Sequence, residues 1–283
     1  MLFSTATTTM KRGLALLAAM AALLSLATSA DGAPLNALAS SVGEATTKHQ
    51  EQRQMIINGD ESNESRRPFF ARAGYDNYPQ TSEIICGATL ITRQIAVTAA
   101  HCQGAFNSGI RILDPATNDF DRMVEVSEQI RHPGWDEDQA NLNYDILVLK
   151  LKTPLSANDV AQPIPYNTDP NFPRPGQTVL SMGFGLTEND RVSNDLLEAE
   201  MEYISNDECW GRSVQFNNVR QGPEVMCTDP IDGTSTCLGD SGGPLTDAEG
   251  TRLLGIVSFG SGCKPDLIPD GYVRMVCRQN GFL

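Results

Sequence analysis

From Ile56 onward the sequence predicts an all-β domain built of many short strands, on three observations. Short apolar runs rich in β-branched residues recur: EIICGATLI, IAVTAA, DILVLKL, TVLSMGF, LLGIVSFG and GYVRMV. Clusters of Gly, Pro, Asn and Asp separate these runs, and those residues close turns. No long stretch of helical period interrupts them. Only SNDLLEAEMEYIS hints at a helix, and it fits a strand equally well.

The segments ahead of this domain have a different character. Lys11 and Arg12 precede an uncharged run from Gly13 to Ala30, and the small residues Thr28 and Ala30 offer a cleavage site before Asp31. Residues 1–30 therefore read as a secretory signal peptide. The apolar heart of that run, Leu14 to Ala27, is short for a membrane span, which disfavours an uncleaved anchor. Residues 31–55 are polar without clear periodicity and read as a pro-segment. The domain then occupies 56–283. The span Ser156 to Gln177 carries five prolines and suits a surface connector between two halves, about 56–160 and about 176–283.

Bulk properties narrow the function. The chain has 283 residues, 40% of them hydrophobic, enough for one or two packed cores. A formal net charge of -14, spread without blocks, repels phosphate backbones, so nucleic acid is not an expected partner. Seven cysteines in an oxidising compartment suggest three bridges and one leftover thiol. On the order of a hundred pairings are open at this point. A zinc site is disfavoured, because no C-x-x-C pair occurs and the histidines lie elsewhere. Asn63-Glu64-Ser65 is a glycosylation sequon.

The chemistry concentrates in a few residues. Past the pro-segment only His101 and His132 remain, in VTAAHC and RHPGW. Asp145 opens the apolar run DILVLKL, where an unpaired carboxylate would be costly. Ser241 lies in TSTCLGDSGGPL, between an aspartate and two glycines. Nucleophilic acyl transfer needs a hydroxyl, an imidazole to take its proton and a carboxylate to orient the imidazole. Taken singly, each residue also has a bland reading: a strand-capping histidine, a turn aspartate, a loop serine. His132, in a turn context, is the competing base.

VTAAHC, DILVLKL and GDSGGPL occur in this order, 44 and then 96 residues apart from His101 to Asp145 to Ser241, and GIVSFGSGC follows. On these segments the chain resembles the chymotrypsin/trypsin-type serine proteases over about residues 56–283. The resemblance implies two packed six-stranded antiparallel Greek-key barrels with the active site in the cleft between them. It implies Ser241 as nucleophile, His101 as general base and then acid, and Asp145 as the group that orients His101. The N–H groups of Gly239 and Ser241 would form the oxyanion hole, and Ser258 would support Asp145. Cleavage before Ile56 would activate a zymogen by pairing the new amino group with Asp240. Met55 stands where many relatives carry Arg or Lys, and Arg53 lies two residues too early.

The resemblance also places a substrate pocket at Ser235, Gly260 and Asp270. A carboxylate there could attract Lys or Arg, or be bonded to Ser235 and leave an apolar preference. A broad pocket that accepts large side chains, basic ones included, is expected. The implied disulfides are Cys86–Cys102, Cys209–Cys227 and Cys237–Cys263, with Cys277 left over and expected to be buried. Phe184 replaces a tryptophan common in relatives, and the chain stops at CRQNGFL where the family usually adds a C-terminal helix. Asp114, Asp119 and Asp121 lie in a loop where some relatives bind calcium, but no metal and no cofactor are expected.

The implied protein is a secreted, extracellular, monomeric endopeptidase. It would act on protein or peptide substrates, meet protein protease inhibitors, and have no membrane association after signal removal. A weak or inactive binding or inhibitor protein on the same fold is the alternative, although no triad residue is lost. An esterase of the α/β-hydrolase type would carry its histidine last in the chain, whereas His101 comes first.

Overall fold

A computed structural model describes residues 56–57, 59–62, 67–73, 86–136, 142–187, 189, 191–217, 222–260, 262–264 and 268–276. Asn63, Met55, Cys277 and the residues before 56 and after 276 lie outside them. The strands, in chain order, are β1 (Asp60–Glu61), β2 (Phe70–Ala73), β3 (Gly87–Leu90), β4 (Ile95–Thr98), β5 (Ile110–Ile112), β6 (Arg122–Val124), β7 (Val126–Arg131), β8 (Leu147–Leu151), β9 (Thr178–Gly183), β10 (Leu197–Ile204), β11 (Val225–Pro230), β12 (Pro244–Asp247), β13 (Leu253–Phe259) and β14 (Asp270–Arg274). One helix, α1 (Asn206–Asn217), follows β10.

The first sheet runs β6-β5-β2-β3-β4-β8-β7 and the second β1-β10-β11-β14-β13-β12-β9. Each has seven segments, yet both reduce to the expected six-stranded antiparallel barrel. In the second, β9 also pairs with β10, which closes the ring, and β1 is an extra piece on the edge of β10. In the first, only Glu125 separates the two end segments β6 and β7, so they are one strand bent at that residue. The register shift between Val126 and Glu128 is the bulge that makes the bend.

Local sequence explains most of these elements. β8 is buried at every position but Lys150, as a central strand covered on both faces should be. Lys150 reaches out to Glu128 of β7 at 2.6 Å. The ambiguous segment SNDLLEAEMEYIS forms β10: Leu197, Ala199, Met201 and Tyr203 are buried, while Glu198, Glu200 and Glu202 alternate with them. That period of two belongs to a strand, and it wins over the segment's helix-forming composition. The helix comes directly afterwards. Ser205 Oγ accepts the Glu208 N–H at 3.2 Å, and Asp207 and Glu208 place negative charge at the positive end of α1.

The core of the first barrel continues into the contact with the second. Phe70 and Phe120 of the first half meet Phe184 of the second, with ring centroids 5.4–5.6 Å apart. All three are at most 1% exposed, and the Arg72 guanidinium lies 4.7 Å from the Phe184 ring. Phe184 thus completes an aromatic cluster between the two halves. A separate core in the second barrel gathers Ile56, Leu197, Met226, Leu254 and Tyr272. The proline-rich connector is strapped to both halves. Gln162 and Ile164 N–H bond to Pro68 and Leu90 carbonyls, and Asn167 N–H bonds to the Leu253 carbonyl. No helix among the described residues is long and apolar enough to cross a membrane.

Candidate active site

β4 and β8 are antiparallel neighbours with Thr98 opposite Leu147. His101 follows the end of β4 in a one-turn 3₁₀ helix, Ala100–Cys102, and Asp145 precedes the start of β8. The two residues therefore leave the same end of one strand pair, although 44 positions separate them. Asp145 is fully buried and His101 is partly open to solvent. Asp145 Oδ1 accepts the His101 backbone N–H at 2.9 Å. Its Oδ2 lies 2.7 Å from His101 Nδ1 and accepts the Ser258 hydroxyl at 2.6 Å. With Nδ1 carrying the proton toward the carboxylate, Nε2 is left as the basic nitrogen.

Ser241 reaches this group through its backbone. Its carbonyl accepts the Gly87 N–H at 2.8 Å. Gly87 adjoins Cys86, which is bonded to Cys102 beside His101. On the other side Gly242 N–H bonds to the Val257 carbonyl at 2.8 Å, and Ser258 follows Val257. The serine loop is thus fixed to both the histidine and the support of the aspartate. The Ser241 hydroxyl itself makes no hydrogen bond to a described residue. Such bonds often tighten only when substrate arrives.

Two glycines have structural causes. Gly242 has φ +79, and a Cβ on it would lie 2.1 Å from Thr98 Oγ1 and 2.5 Å from the Gly87 carbonyl oxygen. Close packing on the first barrel requires it. Gly239 has φ +103, which turns the chain ahead of the serine. Within that turn Asp240 N–H bonds to the Cys237 carbonyl. The flanking N–H groups of Gly239 and Ser241 donate to no described residue.

Asp240 points the other way, into the protein. It is fully buried; Oδ1 accepts Gly185 N–H and Oδ2 accepts Cys237 N–H, each at 2.8 Å. Burial pushes its carboxyl up to about 6 against the pull of those two bonds. Ile56 is fully buried in the second core, and Ile57 bridges to Ser235. In this uncut chain the Ile56 nitrogen is an amide, so no ion pair joins it to Asp240.

The three pocket residues named from the sequence converge. Asp270, at the start of β14, is 3% exposed and Ser235 is 1% exposed. Ser235 Oγ lies 3.3 and 3.4 Å from the two Asp270 carboxylate oxygens. Gly260 faces the same carboxylate, because a Cβ on it would come within 2.5 Å of Asp270 Oδ1. Sequence reading did not name Thr236, whose N–H bonds to Asp270 Oδ2 at 2.7 Å, or the buried phenol of Tyr272. Both lie within segments that were read, TSTCLGDSGGPL and GYVRMV, but only the fold brings the Thr236 N–H to the acid.

The remaining candidates have structural roles. His132 is buried, stacks on Tyr144 at 4.7 Å and accepts the Gly134 N–H on Nδ1. Burial lowers its pKa. It props the turn that delivers Asp145. Asp114, Asp119 and Asp121 accept bonds from Ala116 N–H, Phe120 N–H and the Thr117 hydroxyl. Among the described residues no three His, Cys, Asp or Glu side chains are grouped to hold a metal ion. The disulfides are Cys86–Cys102, Cys209–Cys227 and Cys237–Cys263, the pairs the resemblance implied. Bridges closing loops of this size typically contribute about 3 kcal/mol each. Two surface clefts of about 380 and 390 Å³, one near Arg274 and one near Gln129, contain none of the triad residues.

Known proteins resemble the chain in sequence and in fold. The chain is 32% identical to trypsin iota of Drosophila melanogaster over 190 residues, which is 66% of this chain and 73% of that protein. It is 31% identical to mast cell protease 8 of Mus musculus over 192 residues, 67% of this chain and 74% of that protein. The fold matches neuropsin, a serine protease expressed in the limbic system of mouse brain, with a TM-score of 0.67 at 24% identity, over 79% of this chain and 96% of that one. The family model for trypsin matches residues 56–279, beginning at the isoleucine that this structure buries, and the chain accordingly belongs to the trypsin family of serine proteases.

Proposed function

We propose that the protein is a secreted serine endopeptidase, made as a zymogen and activated by cleavage before Ile56. The observation that carries this reading is the fully buried Asp145, which holds His101 by two bonds and is itself held by Ser258. A carboxylate so placed fixes the imidazole tautomer with Nε2 free to accept a proton. Ser241 Oγ attacks the carbonyl carbon of the scissile bond as its proton passes to His101 Nε2. The carbonyl oxygen, now negative, takes the N–H groups of Gly239 and Ser241. Collapse of the tetrahedral species expels the amine, which receives the proton from His101 and leaves an acyl-Ser241 ester. Water, deprotonated by the same nitrogen, then releases the acid.

Asp240 supports the zymogen part. It is a buried acid with no described cation partner, and cleavage before the buried Ile56 would create an ammonium for it. Secretion is supported by the signal-like residues 1–30 and by three disulfides, which persist in oxidising compartments. Protein or peptide substrates, and inhibitors that imitate them, are the partners. The second reading is a protease-like binding protein of weak or no activity, favoured by the Ser241 hydroxyl that makes no hydrogen bond to His101.

A fluorophosphonate probe and a peptide library, applied to the cut enzyme, decide between them. Wild type should be labelled at Ser241 and cleave peptides, and Ser241→Ala should lose both, with kcat/KM falling by about 10⁵-fold or more. A trimmed wild type that takes no label and cleaves no peptide would leave the binding-protein reading.

A further inference from the structure

The Asp145 carboxylate is held by His101 and Ser258, but the backbone that delivers it is held by the segment RHPGW. Ile146 N–H donates to the Tyr144 carbonyl at 2.7 Å. Asp145 is therefore the central residue of a three-residue turn between the 3₁₀ turn Leu142–Tyr144 and β8. Where its side chain starts depends on the two residues that flank it. His132 reaches both. Its N–H donates to the Ile146 carbonyl at 3.0 Å. Its ring lies on the Tyr144 ring, with centroids 4.7 Å apart and planes 3° from parallel.

The turn that carries His132 is shaped for this contact. Pro133 and Gly134 are the central residues of a β-turn, closed by the Trp135 N–H on the His132 carbonyl at 3.0 Å. Gly134 N–H also bonds to His132 Nδ1 at 3.0 Å, which fixes the tilt of the ring. A Cβ on Gly134 would come within 2.8 Å of the Tyr144 ring, so a glycine is needed for the phenol ring to fit. A nitrogen that accepts a hydrogen bond carries no proton. Burial lowers the His132 pKa and so favours that neutral ring. With 6% exposure and Nδ1 engaged, His132 is placed as a support and not as a second general base.

Resting on the endopeptidase reading, we propose that His132 is a positioning residue for Asp145: by holding Tyr144 and Ile146, it sets where the carboxylate enters the site and how well His101 is aligned. The ring holds one flank and the backbone the other. Without the ring, the Tyr144 side of the turn is released while the bonds from His101 and Ser258 can still form. The carboxylate then meets His101 at poorer distance and angle. A misplacement of about 1 Å in catalytic geometry can cost about a hundredfold in rate, so a smaller shift should cost about tenfold.

The test is a set of double-mutant cycles in the cut enzyme, with peptide hydrolysis as the readout. His132→Ala removes the ring and keeps the backbone bond. Gly134→Ala keeps His132 and crowds the Tyr144 ring. Each should lower kcat about tenfold, with KM changed less than about twofold. His132→Phe, which keeps a flat ring against Tyr144, should recover most of the loss. In an Asp145→Asn background, either alanine change should cost less than about twofold more, because the carboxylate it aligns is already gone. A residue that only stabilises the fold would lower both backgrounds by the same factor, so losses that multiply would overturn the proposal. Wild-type kcat in both alanine variants would overturn it too. If His132→Ala does not fold, the Gly134→Ala cycle decides by the same criterion. If cut wild type neither cleaves a peptide nor takes the fluorophosphonate, the endopeptidase reading falls first and the inference with it.

Discussion

Around Asp145 and around the pair Asp240 and Asp270, the protein buries carboxylates to a similar depth and supplies them differently. Asp145 is fully covered and receives a backbone N–H, an imidazole N–H and a hydroxyl, all from within the fold. Asp240 receives two backbone N–H groups and is pushed up to about 6. Asp270 receives a short backbone bond from Thr236 and side-chain bonds from Thr236 and Ser235, and is still pushed up to about 7. For Asp240 and Asp270 burial outweighs the donors the fold supplies. The Asp145 group is finished when the chain folds. Under the proposed function, Asp240 would be completed later, by the amino terminus that cleavage before Ile56 creates.

The contrast is broken most directly at Asp145. Asp145→Asn keeps the size and loses the charge, and its amide presents N–H where His101 Nδ1 needs an acceptor. The imidazole would then turn to the tautomer that protonates Nε2, and the general base is lost. Peptide hydrolysis by the cut enzyme should fall by about 10⁴-fold with little change in KM. A fall of tenfold or less would mean that His101 is oriented by something other than this carboxylate.

How much of this was legible in the sequence depended on what kind of fact each residue carried. His101, Asp145 and Ser241 stand in motifs whose order and spacing are visible without a structure. The long buried runs of β8 and β13 read as strands because both faces are apolar. The strands β5 and β6 have three residues each, too few for a period to show. The helix α1 escaped because its apolar residues form no clean stripe, although Ser205 followed by Glu208 is a capping signal that could have found it. β10 was ambiguous because Glu, Leu, Ala and Met favour helices while their alternation favours a strand. Thr236 could not be read as a partner of Asp270, since β14 and the Ser235 loop meet only after the second barrel closes. The attachment of β1 to β10, which carries Ile56 into the second core, is likewise a fact of tertiary pairing.

Asp240 sharpens the comparison, because its removal should act in opposite directions before and after cleavage. A carboxyl raised to about 6 keeps its proton in the fold over a range where the unfolded chain, at its ordinary 3.8, has released it. The uncut protein therefore loses stability as pH climbs from about 4 to about 6 and does not regain it above; Asp270 extends the loss to about 7. Two raised carboxyls imply a change on the order of a few kcal/mol. Thermal melting of the uncut Ser241→Ala chain should show a lower midpoint at pH 8 than at pH 5, and adding Asp240→Asn should shrink that difference. In the cut enzyme the same change leaves the new ammonium buried without its partner, a loss of about 3–5 kcal/mol. Its kcat/KM should fall about a hundredfold or more. If Asp240→Asn weakens the uncut chain at pH 8 as much as the cut one, Asp240 is an ordinary structural acid and not a site waiting for a cation.

Ser258 tests whether the Asp145 group is as complete as its three donors suggest. Ser258→Ala removes the 2.6 Å hydroxyl bond and leaves both bonds to His101 in place. A buried carboxylate that loses one of several donors is typically destabilised by about 1–3 kcal/mol. With the imidazole still held, most of that cost should appear in folding stability, and kcat/KM should fall only about tenfold. Ser258→Thr, which restores a hydroxyl, should recover activity where Ala does not, and a packing role alone would not produce that difference. Should Ser258→Ala match the loss of Asp145→Asn, the carboxylate would orient His101 only through a neighbour from β13, and the view of Asp145 as a group finished by several independent donors would no longer hold.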